Sequence, residues 1–343
     1  MIIDSCLKNV YSYRVSSNNL CYCTTLNQLY FNQNFVDIGI DNYNYDYLNN
    51  KLIYLKEDFT IYGNDKIKGK FYLKDTFDNK NLSIILMGDF ILDYPNRFSN
   101  YYIYYLYNNE CKLIDIISNL QKIYNSDNKL FTSKNLIITA YLHTPITMQL
   151  WQYNLKDLEF HKTQLNEVSQ YEVKRFIGIQ NGQSIVQLSN ASLLFLDINT
   201  GKMLKVIQLK ELFPLPSPVF YSDRCIAHLV ENKIIWLNNQ ILLHIDLLTY
   251  EVMVIKKFYE EIREQQYRFM SNTYFKGKIY FVADYGWQYV TPSSIGVMNA
   301  DTGEVIWREQ LKKTGGLPEV PQVTDEKLYV RTANNELYIF EKN

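Results

Sequence analysis

The chain has 343 residues, 47% of them hydrophobic and 21% charged, which is the make-up of a globular protein able to bury a large core. A formal net charge of −1 with no long basic block removes the electrostatic footprint of a nucleic-acid binder, so DNA and RNA are not expected partners. No run of eighteen apolar residues is present, so no membrane partner is expected either.

The 30 Tyr and 18 Phe favour strands over helices. Closed all-β architectures often reach this length as one domain, so residues 1–343 are read as a single domain. The N-terminus, Met1-Ile2-Ile3-Asp4-Ser5-Cys6, has no basic segment followed by an apolar run; no secretory signal is read and a cytosolic location is expected. Cys6, Cys21, Cys23, Cys111 and Cys225 are odd in number and scattered, unlike a disulfide framework. Cys21 and Cys23 alternate along one strand and share a face, but a metal site needs further ligands that no nearby motif supplies.

From there the chain repeats itself. Short apolar strands recur at Leu20–Thr25, Leu52–Lys56, Leu82–Met87, Leu136–Leu142, Ser184–Leu188, Ile234–Leu237, Ile279–Ala283 and Leu328–Thr332. In the C-terminal half each is followed by a hairpin with a turn of Asp or Asn and Thr. The clearest copies are LLFLDINTGKMLKVIQL (193–209), LLHIDLLTYEVMVIKKF (242–258) and IGVMNADTGEVIWREQL (295–311). Thr200, Thr249 and Thr302 fall in register, 49 and 53 residues apart, and Asp157 takes the Thr position 43 residues before Thr200. That period is the size of one four-stranded propeller blade, a unit that cannot bury its own faces and must stack on neighbours. Eight candidate strands, the first three only about thirty residues apart, predict a β-propeller of seven blades, with six or eight as the alternatives. The final hairpin stops where an outer strand is due, so residues 1–15 are expected to supply it and close the ring.

Two stretches carry helical spacing: Leu113, Ile117, Leu120 and Tyr124, and Phe258, Ile262 and Phe269. Both are expected to decorate the ring. Pro214, Pro216 and Pro218 predict a stiff extended linker between blades.

The turn pattern Asp197-Ile198-Asn199-Thr200-Gly201, seen again as Asn299-Ala300-Asp301-Thr302-Gly303 followed by Trp307, resembles the quinoprotein-like superfamily of pyrroloquinoline-quinone (PQQ) repeats. The resemblance covers the C-terminal half well and the first 130 residues poorly. It implies a propeller in which Thr-Gly makes the outer turn and the Trp docks between blades; Trp307 alone stands at that docking position. It does not extend to the quinone site, which needs a catalytic carboxylate and a calcium site of carboxylate and amide oxygens. None of these is identifiable, so no cofactor is expected.

Other chemistry is equally thin. His143, His161, His228 and His244 lack metal-ligand spacing and are expected to be structural. Gly182 to Val186 begins like a nucleophile elbow without its closing Gly. Gly63 to Lys70 mimics a phosphate loop with one residue too many and Phe71 where a hydroxyl should stand. Asp89, Asp93 and Asp284 are the carboxylates that a propeller channel would have to gather for catalysis.

Connections from the second to the third strand of a blade open on one face. Three read as enlarged: Gly88 to Asn100, His143 to Met148 and Asp284 to Ser293. Phe90, Tyr94, Arg97 and Phe98 in the first, and Tyr285, Trp287 and Tyr289 in the last, are of the types enriched at binding hot spots. The function expected is a non-catalytic propeller that binds another protein on these loops, specifically an immunity protein that neutralises a toxin. The alternative is an enzyme or small-molecule binder using the central channel.

Overall fold

The computed structural model describes residues 1–16, 19–26, 28–38, 45–48, 51–54, 71–79, 82–89, 101–108, 113–117, 129–131, 135–143, 146–154, 159–165, 173–188, 192–197, 203–209, 212, 227–238, 241–258, 267–285, 294–311 and 319–342. Its elements are strands throughout. After β1 (Ile2–Leu7), a four-stranded sheet runs in the order β2 (Val10–Ser16), β3 (Asn19–Thr24), β4 (Gln28–Phe31) and β5 (Asn34–Ile38). A ribbon of β6 (Tyr45–Leu48) and β7 (Lys51–Tyr54) follows. The next two sheets are β8 (Phe71–Asn79), β9 (Leu82–Asp89), β10 (Tyr101–Asn108), β11 (Leu113–Ile117), and then β12 (Lys129–Phe131), β13 (Asn135–His143), β14 (Ile146–Asn154), β15 (Glu159–Leu165). Then come β16 (Val173–Gln180), β17 (Gln183–Leu188), β18 (Ser192–Asp197), β19 (Met203–Gln208), and β20 (Ala227–Val230), β21 (Lys233–Asn238), β22 (Ile241–Asp246), β23 (Val252–Lys257). The sixth sheet holds β24 (Tyr267–Phe275), β25 (Lys278–Tyr285), β26 (Ser294–Asn299) and β27 (Val305–Gln310). In the last, β28 (Gln322–Val323), β29 (Lys327–Arg331) and β30 (Leu337–Glu341) are joined by β1 on the outside.

Each of the eight recurring apolar strands coincides with the second strand of a sheet or ribbon: β3, β7, β9, β13, β17, β21, β25 and β29. The missing outer strand of the last sheet is β1, antiparallel to β30 from Ile2↔Glu341 to Leu7↔Leu337. The expected segment, residues 1–15, is shared between two sheets, because β2 starts at Val10.

Turn chemistry explains why these strands fold back so soon. Asn181 and Gly182 have φ of 51° and 73°, and Lys276 and Gly277 have 47° and 76°, the left-handed pairs of a two-residue hairpin whose twist matches the strands. Gly182 is therefore a hairpin residue, and its likeness to a nucleophile elbow ends there.

Two compact units divide the chain: Met1–Val10 with Gln183–Phe195 and Lys205–Asn343, and Tyr11–Gly182 with Leu196–Leu204. In the first unit the core lies between sheets. Along β25, Ile279, Phe281 and Ala283 pack with Ile235, Leu237 and Leu242 of the preceding sheet, while Tyr280 and Val282 pack with Leu328, Val330 and Phe340 of the following one. The period of two thus feeds two cores from one strand. Each fully buried side chain of this kind contributes roughly 1.5–3 kcal/mol. Phe269 meets Phe258 and Phe281 edge-on, at 4.9 and 5.0 Å between centroids. Gly296, paired with Phe281, leaves the space that ring fills, since a methyl group there would lie inside it.

Both helical expectations are overturned where residues are described. Leu113 and Ile117 lie in β11, paired with β10, and 118–128 are outside the described residues. Phe258 and Phe269 bracket 259–266, also outside, but Phe269 is on β24 and both rings are buried in one cluster. Apolar spacing near four residues was satisfied here by sheet pairing and inter-sheet packing, which short segments cannot distinguish from helix. The three prolines are outside the described residues.

Candidate functional site

Phe90, Tyr94, Arg97, Phe98, Trp287 and Tyr289 lie outside the described residues, and Tyr285 is the last residue of β25, its backbone opposite Tyr267. What the structure establishes is where their segments leave the scaffold. β9 and β10 pair up to Asp89↔Tyr101, so 90–100 join a second strand to a third. Residues 286–293 do the same in the sixth sheet, beyond the Ala283↔Ser294 pair. The third expected loop is not enlarged: His143 pairs with Ile146, leaving only residues 144 and 145 between the strands. Its polar and β-branched residues, read as loop, extend the ladder instead. The connection at residues 239 and 240, beyond Asn238↔Ile241, is equally short.

The corresponding connection of the last sheet is described in full and is polar. Thr332 N–H donates to the Glu336 carbonyl at 2.8 Å and Asn335, at φ 61°, donates to Thr332 at 3.0 Å. Buried Glu336 is ion-paired with Lys8 and accepts from the Tyr338 hydroxyl at 2.8 Å. The Glu336 carboxylate, by hydrogen bonding, holds the Lys8 amine above its ordinary pKa. Arg331 is ion-paired with Glu319, and its Nη1 donates to Asn335 Oδ1 at 2.8 Å and to the Val10 carbonyl at 3.3 Å. This network ties the second-to-third connection to the segment that follows β1.

At the opposite strand ends, two turns have one design. Asp246 Oδ1 accepts from the N–H groups of Leu248 and Thr249, both at 2.8 Å, and these hold its carboxyl below the usual range. Asn299 Oδ1 accepts from Asp301 and Thr302 at 2.8 and 3.1 Å. The Thr249 and Thr302 hydroxyls accept from Glu251 and Glu304 at 3.3 and 3.2 Å, which is the structural role the repeat's Thr implied. The fifth position is left-handed in both, with Gly303 at φ 68° and Tyr250 at φ 60°. Residues 198–202 of the third copy are outside the described residues.

Polar groups fasten neighbouring sheets. His244 Nε2 donates to the Ala300 carbonyl at 2.8 Å, and burial lowers its pKa. His228 Nε2 donates to Asn272 Oδ1 at 2.8 Å, and buried Asn272 donates to the Leu237 carbonyl at 2.9 Å. Both histidines are structural, as their spacing suggested; the side chains of His143 and His161 are outside the description. Trp307 docks edge-on against Phe340 of the following sheet, 5.5 Å between centroids, as the resemblance implied. Cys21 and Cys23 are both buried in β3, and the Cys23 thiol donates to the Thr24 carbonyl at 3.6 Å.

No protein-family model matches the chain, and no curated protein matches it by sequence. Solved structures match it by shape. The computationally designed protein Ika8 aligns over 99% of this chain and 98% of its own, with a TM-score of 0.59 at 10% identity. BamB from Moraxella catarrhalis, a PQQ-like propeller, aligns over 99% of both chains, with a TM-score of 0.51 at 10% identity. The WD40 domain of Neurospora crassa Pan2 covers 96% of this chain and 87% of its own, with a TM-score of 0.52 at 9% identity. The fold is that of the β-propellers. At such identities the likeness is one of fold, and a propeller hosts many functions.

Sequence reasoning missed Tyr250, Asn272 and the Arg331–Glu319 pair. Tyr250 had a signal, since the aligned copies set it where Gly201 and Gly303 stand. Asn272 had none, because its partners lie 35 and 44 residues away, and the Arg331–Glu319 pair, 12 residues apart, follows no repeat or motif spacing.

Proposed function

We propose that this chain is a non-catalytic β-propeller of PQQ-repeat type that binds another protein through its long second-to-third connections, and that this partner is a toxin it neutralises in the cytosol. The observation that carries the reading is the contrast in those connections: residues 90–100 and 286–293 interrupt a scaffold in which 144–145 and 239–240 suffice for the same turn. Long loops on rigid strands are where binding residues concentrate. Phe90, Tyr94, Arg97 and Phe98 on one loop, and Trp287 and Tyr289 on the other with Tyr285 at its base on β25, offer the aromatic and Arg anchors of protein interfaces.

In this reading the seven four-stranded sheets are blades and β1 on β30 closes the ring. The β6–β7 ribbon, whose β7 falls on one of the eight recurring strands, is what keeps an eight-bladed ring as the alternative. Affinity capture from the native host followed by mass spectrometry tests the function. One stoichiometric protein whose toxicity is suppressed by co-expression of this chain supports the reading; a bound small molecule or turnover of a substrate overturns it.

A further inference from the structure

We propose that Phe275, Tyr280 and the Thr324 carbonyl form a receptor for an alkylammonium group, which Lys342 occupies as a tethered internal ligand. The site lies in the first compact unit, at the end of the strands opposite the second-to-third connections, and is independent of the partner-binding loops.

The hairpin builds it. Thr273 pairs with Tyr280 and Phe275 with Lys278 across the Lys276-Gly277 turn, so Phe275 and Tyr280 are diagonal neighbours on one face, within reach of each other's large side chains. The next sheet supplies the rest. The Lys342 backbone N–H donates to the Glu326 carbonyl at 2.8 Å, which pins the residue beyond β30. Its Nζ then stands 4.4 Å from the Phe275 ring centroid and 4.6 Å from that of Tyr280, and donates to the Thr324 carbonyl. Two ring faces and one carbonyl oxygen around a nitrogen are the elements of an aromatic ammonium cage. Thr324 and Tyr280 are buried, so the cage has a fixed floor.

Full charge at this position is not what the surroundings favour. Burial above all, opposed by Asp325, itself ion-paired with Lys276, and aided by Lys278 and Lys276, lowers the Lys342 pKa to about 8. A strongly hydrated primary amine thus holds the cage at a cost, sustained by its tether, which gives it a high effective concentration. A quaternary ammonium, which sheds water more readily, suits the same rings. The geometry selects for a cation that offers methylene or methyl groups to two ring faces, and it keeps that position closed while Lys342 is in place.

The test uses the full chain, with tetramethylammonium chloride and n-butylammonium chloride as probes and sodium chloride as the ionic-strength control. In Lys342→Ala, tetramethylammonium methyl protons are expected to move upfield, the ring-current signature of a cation over an aromatic face, and to saturate in the millimolar range. Wild type should bind at least tenfold more weakly, and Lys342→Ala/Phe275→Ala should lose the shift. Binding of n-butylammonium as well identifies a site open to a lysine side chain of a partner; binding of tetramethylammonium alone identifies a quaternary one. In wild type, a second measurement needs no variant. Tetramethylammonium should expel Lys342 and speed its acylation by acetic anhydride, read by peptide mass spectrometry, relative to equal sodium chloride. No upfield shift in a folded Lys342→Ala protein, a shift that survives loss of Phe275, or unchanged Lys342 acylation overturns the proposal.

Discussion

The turns at Asp246–Glu251 and Asn299–Glu304 share every backbone hydrogen bond yet differ at the one position that demands a left-handed conformation. Gly303 meets that demand without a side chain, and it must, because a Cβ there would sit 3.0 Å from the Lys256 side chain of the preceding sheet. The turn instead reaches that sheet through its backbone and acid, with the Ala300 carbonyl on His244 and Asp301 on Lys233 at 2.6 Å. Tyr250 accepts a left-handed cost of roughly 1–2 kcal/mol, and uses its side chain to make the corresponding link. Its ring meets Phe195 edge-on at 5.0 Å, and its hydroxyl donates to Gln183 Oε1 at 2.9 Å. The carboxylate or amide cap and the Thr define the turn; the fifth residue is free to serve the neighbouring sheet.

Exchanging the two solutions breaks this account if it is wrong. Gly303→Tyr has no space beside Lys256 and adds left-handed strain, so it should cost about 3 kcal/mol in chemical denaturation; a neutral result would remove the close-approach argument. Tyr250→Gly relieves strain but loses the ring pair and hydrogen bond, together worth about 2–3 kcal/mol. A net loss near 1 kcal/mol is expected, and a gain in stability would show that Tyr250 fastens nothing. Tyr250→Phe should isolate the hydroxyl at about 1 kcal/mol or less.

A pH series sharpens the other side of the comparison. Burial depresses the folded-state pKa of His244 below its ordinary 6.5, so the unfolded chain takes up a proton first as the solution is acidified. The stability that neutral His244 provides is complete above pH 6.5 and is lost as pH falls through the depressed value. Melting temperatures should therefore decline on that side more steeply in wild type than in His244→Gln. Equal slopes would mean that burial does not hold the folded-state pKa of His244 below its ordinary value.

These two turns also show what a sequence can carry. Asp246, Thr249, Asn299 and Thr302 recur in register because each caps backbone within five residues, a local requirement that repetition makes visible. The same holds for the eight apolar second strands; along β25 the continuous apolar run answers to a core on both sides. Leu113 and Phe269 misled because apolar residues at near-helical spacing also occur on paired strands: Leu113 of β11 pairs with β10, and Phe269 on β24 is buried between sheets. His143 to Met148 misled because loop length was judged from residue type, whereas the register His143↔Ile146 is decided by pairing. Links such as His228 to Asn272 join residues 44 apart and have no local mark. The aromatic loop residues were legible as binding chemistry and nothing more, since an anchor and a cover for the core look alike in sequence.

The direct test is Trp287→Ala, assayed for melting temperature and for capture of the protein partner, beside Thr200→Ala at the other end of the strands. Binding through the long connections predicts that Trp287→Ala weakens association by about 2 kcal/mol or more with an unchanged melting temperature, while Thr200→Ala leaves association intact. A Trp287→Ala protein that melts several degrees lower and still holds its partner would contradict the account and make Trp287 part of the fold.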